Sequence, residues 1–260
     1  MNFDLNQVPK RTVKPRTHGL TMVMDKGLSL REAEDMLSVS GDYIDILKLG
    51  FGTAYVTPQL DKKISLYRSA GLAVYFGGTL LEAFLIRNQL EDYIKLVEKY
   101  KMEHLEISDG SVIMPHEKKI QLIRRLSKIA TVITEVGSKE EGILIHPNVW
   151  ISMMQEEIKA GAWKVIAEAR ESGTVGIFRP SGKAHVVLIN KIVAKVPQEK
   201  IIWETPSKSQ QAYFIKLLGA NVNLGNIAPA DVLPLETLRL GLRSDTFFSF
   251  LDNKNSKTVQ

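Results

Sequence analysis

The chain contains no cysteine among its 260 residues. Disulfides, thiolate nucleophiles and cysteine-ligated zinc are therefore excluded. It also lacks any run of 18 or more apolar residues, so no segment reads as a membrane-spanning helix. The first residues, MNFDLNQVPKRTVKPRTHG, carry basic side chains but no apolar core and no small-residue cleavage site. No secretory leader is expected, and the cytoplasm is the expected location. Histidine is sparse: His18, His104, His116, His146 and His185 form no H-E-x-x-H pair, and no G-x-S-x-G elbow occurs. Zinc hydrolases and α/β-hydrolases lose their support. No dense Lys/Arg run and no arginine-aromatic interleaving is found. The formal charge of +5 comes largely from Lys10, Arg11, Lys14 and Arg16 near one end and Lys254 and Lys257 near the other. That distribution argues against a nucleic-acid partner and leaves small anionic molecules.

What is present is repetition. Short apolar, β-branched-rich runs occupy residues 20–24, 43–49, 72–76, 104–107, 131–136, 164–169, 201–203 and 221–224. Their starts follow one another at intervals of 20 to 37 residues, enough for one strand, one helix and two loops. Helical patterns fill most gaps. Ser29-x-x-Glu32, Thr79-x-x-Glu82, Ser138-x-x-Glu141 and Ser207-x-x-Gln210 have capping-box spacing, and Thr57-Pro58 reads as an N-cap followed by proline at the first helical position. Eight strand-helix units predict a single-domain α/β (β/α)₈ TIM barrel. Gly50-x-Gly52 follows the second run without a third glycine, which weakens an open dinucleotide-binding sheet. No linker interrupts residues 19–245. The reading is an N-terminal arm (1–18), a barrel (19–251) and a short polar tail (252–260).

Strands of a parallel sheet are covered on both faces and are usually apolar throughout. Several here are not. Leu105 and Ile107 share one face, which puts Glu106 and Ser108 on the other. The same parity turns Glu168 and Arg170, Glu204, Asn221 and Asn223 towards the lumen, while Glu135, Asp25, Lys26 and Lys48 fall at strand ends. Barrel enzymes build their sites at the C-terminal ends of the strands. Several acids converging there need compensation by Lys or Arg, by protonation or by a divalent cation such as Mg²⁺. Gly173, Gly176 and Gly182, with Arg170, Arg179 and Lys183, make the segment after residue 168 a candidate anion-binding loop.

Ordered segments then match a known family. They are GLTMVMDKG (19–27), YIDILKLGFGT (43–53), YFGGTLLE (75–82), LEISDG (105–110), TEVG (134–137), EARESG (168–173), NVNLGNI (221–227) and GLRSDT (241–246). Together they resemble phosphosulfolactate synthase. The resemblance implies Mg²⁺-dependent addition of sulfite to phosphoenolpyruvate, giving (2R)-phospho-3-sulfolactate through an enediolate-type intermediate, a carbon-sulfur lyase chemistry associated with coenzyme M biosynthesis. Under it, Glu106, Asp109, Glu135 and Glu168 form the pool of metal ligands, with Glu106 also placed in the catalytic centre. Lys48, Arg170, Ser172, Asn223 and Glu204 become substrate-binding candidates. Lys139 is the candidate proton donor, with Lys26 and Lys48 as alternatives. The family's paired lysines after the Val-Gly of the fifth strand read Ser138-Lys139 here. A homo-oligomer is expected. The rival readings are a Schiff-base aldolase acting through Lys26 or Lys48, and a non-catalytic protein that binds acidic partners through its basic ends.

Overall fold

Apolar side chains sort by strand parity into two separate clusters. Met22, Ile46, Tyr75, Ile133, Ile166 and Ile202 pack together as one. Val23, Leu47, Val74, Leu105, Val165 and Trp203 belong to a larger one shared with helix residues. A pleated strand sends alternate side chains to opposite faces; the smaller cluster contains no helix residue, so that face is covered by the strands themselves and the sheet closes around it, with the other core outside.

The computed structural model of the chain describes residues 2–137, 146–170 and 172–252. Eight strands, β1 (Thr21–Asp25), β2 (Ile46–Leu49), β3 (Ala73–Phe76), β4 (His104–Ile107), β5 (Thr131–Val136), β6 (Lys164–Ala167), β7 (Ile201–Glu204) and β8 (Leu224–Ile227), form one sheet in the order β3-β2-β1-β8-β7-β6-β5-β4. Every pairing in the ladder is parallel. The two ends, β3 and β4, lie side by side, and the Tyr75 hydroxyl donates to Glu106 Oε2 at 2.8 Å across that seam. The expected (β/α)₈ barrel is the fold observed.

Ten α-helices are found among the described residues: α1 (Leu30–Ser40), α2 (Thr53–Val56), α3 (Leu60–Ser69), α4 (Gly78–Leu85), α5 (Leu90–Lys99), α6 (His116–Leu126), α7 (Pro147–Ala160), α8 (Val186–Val193), α9 (Lys208–Leu218) and α10 (Val232–Arg239). The Ser29 box closes as expected, with Glu32 N–H to Ser29 Oγ at 3.2 Å and Ser29 N–H to Glu32 Oε2 at 2.7 Å. Ser207 N–H likewise reaches Gln210 Oε1 at 3.2 Å. Two expected caps are corrected. Thr57 ends α2, its hydroxyl donating to Thr53 O at 2.8 Å. Glu82 does not turn back to a helix start but accepts from Ser111 N–H at 2.7 Å. The Ser138–Glu141 spacing lies outside the described residues.

The last strand is also displaced. Only Leu224 is common to the expected run 221–224 and the observed Leu224–Ile227. Gly225 and Asn226 look like turn residues. Gly225 nevertheless belongs in the strand, because a Cβ there would stand 2.9 Å from Ile202 Cγ2 in the filled lumen.

The lower end of the barrel is sealed by polar groups of the arm. Arg11 donates to Glu236 at 2.8 Å, to Ala220 O at 3.0 Å and to Gly19 O at 3.1 Å, and Arg16 pairs with Asp45 at 3.0 Å. Lys164 sends its Nζ to Thr17 O at 2.8 Å and Glu199 O. Its ammonium is lowered to about 8, first by burial and then by Lys200.

Candidate active site

The upper mouth is built around Lys48. Its position on β2 gives it the inward parity of Ile46, and its register partner on β3 is Tyr75. The ammonium lies 2.9 Å from Glu106 Oε2, 3.8 Å from Glu135 Oε2 and 3.8 Å from Glu204 Oε1. Burial alone would lower its pKa. The carboxylates of Glu106, Glu135 and Glu204 outweigh that and hold it above the ordinary lysine value. Lys48 is therefore a fixed cation, which is the wrong state for the amine nucleophile of a Schiff-base aldolase.

Glu106 is fully engaged. Its Oε1 accepts the Gly78 N–H at 2.7 Å, and its Oε2 takes both the Tyr75 hydroxyl and Lys48. Gly78 opens α4, so a helix N-terminus points at this carboxylate. A Cβ at Gly78 would stand 2.8 Å from Glu106 Oε1, which explains the glycine.

The other acids face one another. Glu135, Glu168 and Glu204 each offer a carboxylate oxygen, and these three oxygens lie within 4.8 Å of one another in a buried setting. Glu204 Oε2 accepts the Ala169 N–H at 2.9 Å. Its carboxyl is pushed up to about 7, first by burial and then by the charge of Glu135. Glu168 accepts the backbone N–H of Arg170, and that residue turns the chain with φ of 55°. Met24, Phe51, Thr79, Ser111 and Asn226 complete a cavity of about 250 Å³ over these groups.

A buried carboxylate trio suits a hard divalent cation, because all donors are oxygens. Glu135, Glu168 and Glu204 would hold one ion by drawing inward from their present separation. These residues fit the group. Glu106 is not among these converging oxygens; its own accept from Gly78, Tyr75 and Lys48.

The structure thus gathers Lys48, Glu106, Glu135, Glu168, Arg170 and Glu204 at one mouth, as expected. Other expected residues go elsewhere. Asp109 pairs with Lys119 of α6 at 3.1 Å and does not line the cavity. Asn223 sits at the lower end, where its amide accepts from Leu20 N–H at 3.1 Å and donates to Ile201 O at 2.9 Å. The three-residue displacement of the last strand carries Asn223 down and brings Asn226 to the mouth. Ser172 lines a second cavity, of about 620 Å³, together with Arg179 and Lys183. Lys26 is exposed just beyond β1. Asp25 shares the outward parity of Val23, so it meets Lys63 at 2.6 Å and the Tyr67 hydroxyl at 2.8 Å under α3. Lys139 lies outside the described residues. Tyr75 and Asn226 were missed, although the inward parity of Tyr75 beside Lys48 was available from the sequence.

A parallel eight-stranded barrel with acids and a lysine collected at the C-terminal ends of its strands defines the class: a TIM barrel with a charged site where barrel enzymes build theirs. The solved structure of 3-hexulose-6-phosphate synthase from Salmonella typhimurium shares the architecture. It superposes with a TM-score of 0.56 at 13% identity, covering 86% of this chain and all of that one, a likeness of fold alone. The profile of the (2R)-phospho-3-sulfolactate synthase (ComA) family matches residues 9–245. Phosphosulfolactate synthase of Methanothermobacter thermautotrophicus is 40% identical over 244 residues, 92% of this chain and 95% of that protein. The Bacillus subtilis protein of the same name is 38% identical over 251 residues, 95% of this chain and 100% of its own length. The chain belongs to the phosphosulfolactate synthase family.

Proposed function

We propose that this chain catalyses the Mg²⁺-dependent addition of sulfite to phosphoenolpyruvate, giving (2R)-phospho-3-sulfolactate, as a carbon-sulfur lyase. The observation that carries the reading is the buried trio Glu135, Glu168 and Glu204 beside Lys48, together with the family to which the chain belongs. Glu135, Glu168 and Glu204 would hold Mg²⁺. The ion supplies a positive charge against which the substrate carboxylate can accept electron density.

The chain's own groups account for the rest. Sulfite is a nucleophile near neutral pH, so no side chain has to activate it. Lys48, kept protonated by its three acids, contributes fixed positive charge towards an anionic substrate. Glu106 orients that ammonium and leaves Arg170, exposed at the rim, to meet the phosphate or the incoming sulfite. The carbon bearing the phosphate ester finally takes a proton on one face. The same carboxylates make Lys48 a poor acid, so that role passes to Lys139 or Lys26. The expected homo-oligomer, the cytoplasmic location and a place in coenzyme M or sulfolactate formation belong to the same reading.

Incubation with phosphoenolpyruvate, sulfite and Mg²⁺ tests it, followed by ³¹P NMR. A new phosphate-ester resonance that requires all three components is expected. Its absence with active-site residues intact would reject the proposal.

A further inference from the structure

Lys119 lies inside α6 with none of its side chain exposed. Desolvating an ammonium is costly, and a buried ion pair adds little stability compared with apolar packing. Its presence therefore asks for a reason beyond holding two helices together. The ammonium touches three oxygens on three separate parts of the barrel. They are Asp109 Oδ1 at 3.1 Å, in the loop after β4; Glu157 Oε1 at 2.9 Å, on α7; and the backbone oxygen of Glu135 at 2.6 Å, on β5. Two of these contacts are hydrogen bonds, to Asp109 and to the Glu135 carbonyl, and the third is an ion pair with Glu157.

Two of the three anchors belong to the walls of the mouth. Glu135 carries one of the converging carboxylates. Asp109 sits in the loop whose Ser111 lines the acidic cavity and is tied back to Glu82 of α4 by its N–H at 2.7 Å. An apolar side chain at position 119 could fill the same space under α7 but could not grip a main-chain carbonyl and a loop carboxylate together. Arg170 and Lys48 line the mouth, whereas Lys119 lies behind the strands and does not line the cavity.

We infer that Lys119 is a positioning residue, an internal strut that sets the β5 end and the β4 loop so that Glu135 converges with Glu168 and Glu204 on a divalent cation. The inference rests on the reading of that trio as a metal site. It adds a residue whose effect is read in cation affinity.

Mn²⁺ binding, titrated by electron paramagnetic resonance, provides the test in two variants checked for fold by circular dichroism. Lys119→Met would strand the buried Glu157 carboxylate, so it is combined with Glu157→Gln. Asp109→Asn breaks one arm of the strut at a side chain that is 16% exposed, and it decides the matter if the double variant does not fold. Loss of such supporting contacts commonly weakens metal binding by about 10–100-fold. The double variant is expected to bind Mn²⁺ at least about tenfold more weakly, and Asp109→Asn about threefold more weakly. Parental Mn²⁺ affinity in every folded variant overturns the role of Lys119 and leaves the metal reading standing. A parental protein that binds no Mn²⁺ overturns the metal reading and the strut with it.

Discussion

The Lys48 ammonium and the Glu106 carboxylate lie 2.9 Å apart, and the same carboxylate oxygen accepts the hydroxyl of Tyr75 at 2.8 Å. Glu106 therefore has two duties. It orients the cation of the mouth, and it joins β3 to β4 where the backbone ladder ends.

Replacing Glu106 by Gln keeps the shape but leaves one acceptor oxygen where Gly78 and Tyr75 used two, and it removes the charge opposite Lys48. Hydrogen bonds to charged groups contribute about 1.5–3 kcal/mol. Because Lys48 retains Glu135 and Glu204 at 3.8 Å, a stability loss of roughly 1–3 kcal/mol is expected in urea denaturation. Turnover is expected to fall by at least about a hundredfold, as when a preorganised electrostatic contact is lost. Full activity in Glu106→Gln would remove it from the catalytic centre.

Tyr75→Phe isolates the seam. The hydroxyl is kept neutral, its pKa raised well above 10.0 by burial and then by Glu106, so it acts as a donor. Its loss leaves Glu106 short of one hydrogen bond, at a cost of about 1–3 kcal/mol. Denaturation midpoints check this, and amide exchange in β3 and β4 is expected to rise before exchange elsewhere in the barrel. Unchanged exchange at both strands would assign closure to packing alone.

Glu204 predicts opposite pH trends with and without metal. Its folded carboxyl is raised to about 7 from the ordinary 4.5, so the folded chain holds a proton that the unfolded chain releases. In chelator, the Glu204 contribution to stability rises as pH falls from about 7 towards 4.5. Added Mg²⁺ needs the ionised form, so its stabilising effect grows as pH rises through the same range. Thermal melts with EDTA and with Mg²⁺ across that window make the comparison. A Mg²⁺ effect independent of pH, or one preserved in Glu204→Gln, contradicts the assignment.

Lys164 has the opposite sign. Its folded value of about 8 lies below the ordinary 10.5, so between these two values the unfolded chain binds more protons. The stability of the parental protein relative to Lys164→Met is therefore expected to climb from about pH 8 to pH 10.5 and to stay level below. A neutral amine still has two N–H bonds for Thr17 O and Glu199 O, so the contacts survive deprotonation. A flat difference across that window would mean that the ammonium pays no burial penalty.

Much of this was legible in the sequence for identifiable reasons. Strands β4 and β5 match the expected limits because His104–Ile107 and Thr131–Val136 carry apolar residues in alternation or in runs and contain no Gly or Pro. Parity alone sent Glu106, Glu168 and Glu204 inward. Parity was not applied to Asp25, which follows Val23 outward to Lys63. Asn223 was misplaced because Gly225 and Asn226 disguised the true strand. The sequence does not reveal that Asp109 is claimed by a lysine on the next helix, or that Glu106 accepts from three donors. Both depend on side chains from elements far apart in the chain meeting in space.

The Tyr75–Glu106 contact has a bearing on how this scaffold could change its chemistry over time. A descendant that took up a different reaction and discarded the acid at position 106 would give up both a tie between the third and fourth staves and the counter-charge of the lysine. Innovation at that corner requires at least two coordinated replacements, one to secure the ring and one to rebalance the lysine. The opposite wall is bound in a similar way, since Glu204 ties the seventh stave to the end of the sixth through the Ala169 N–H.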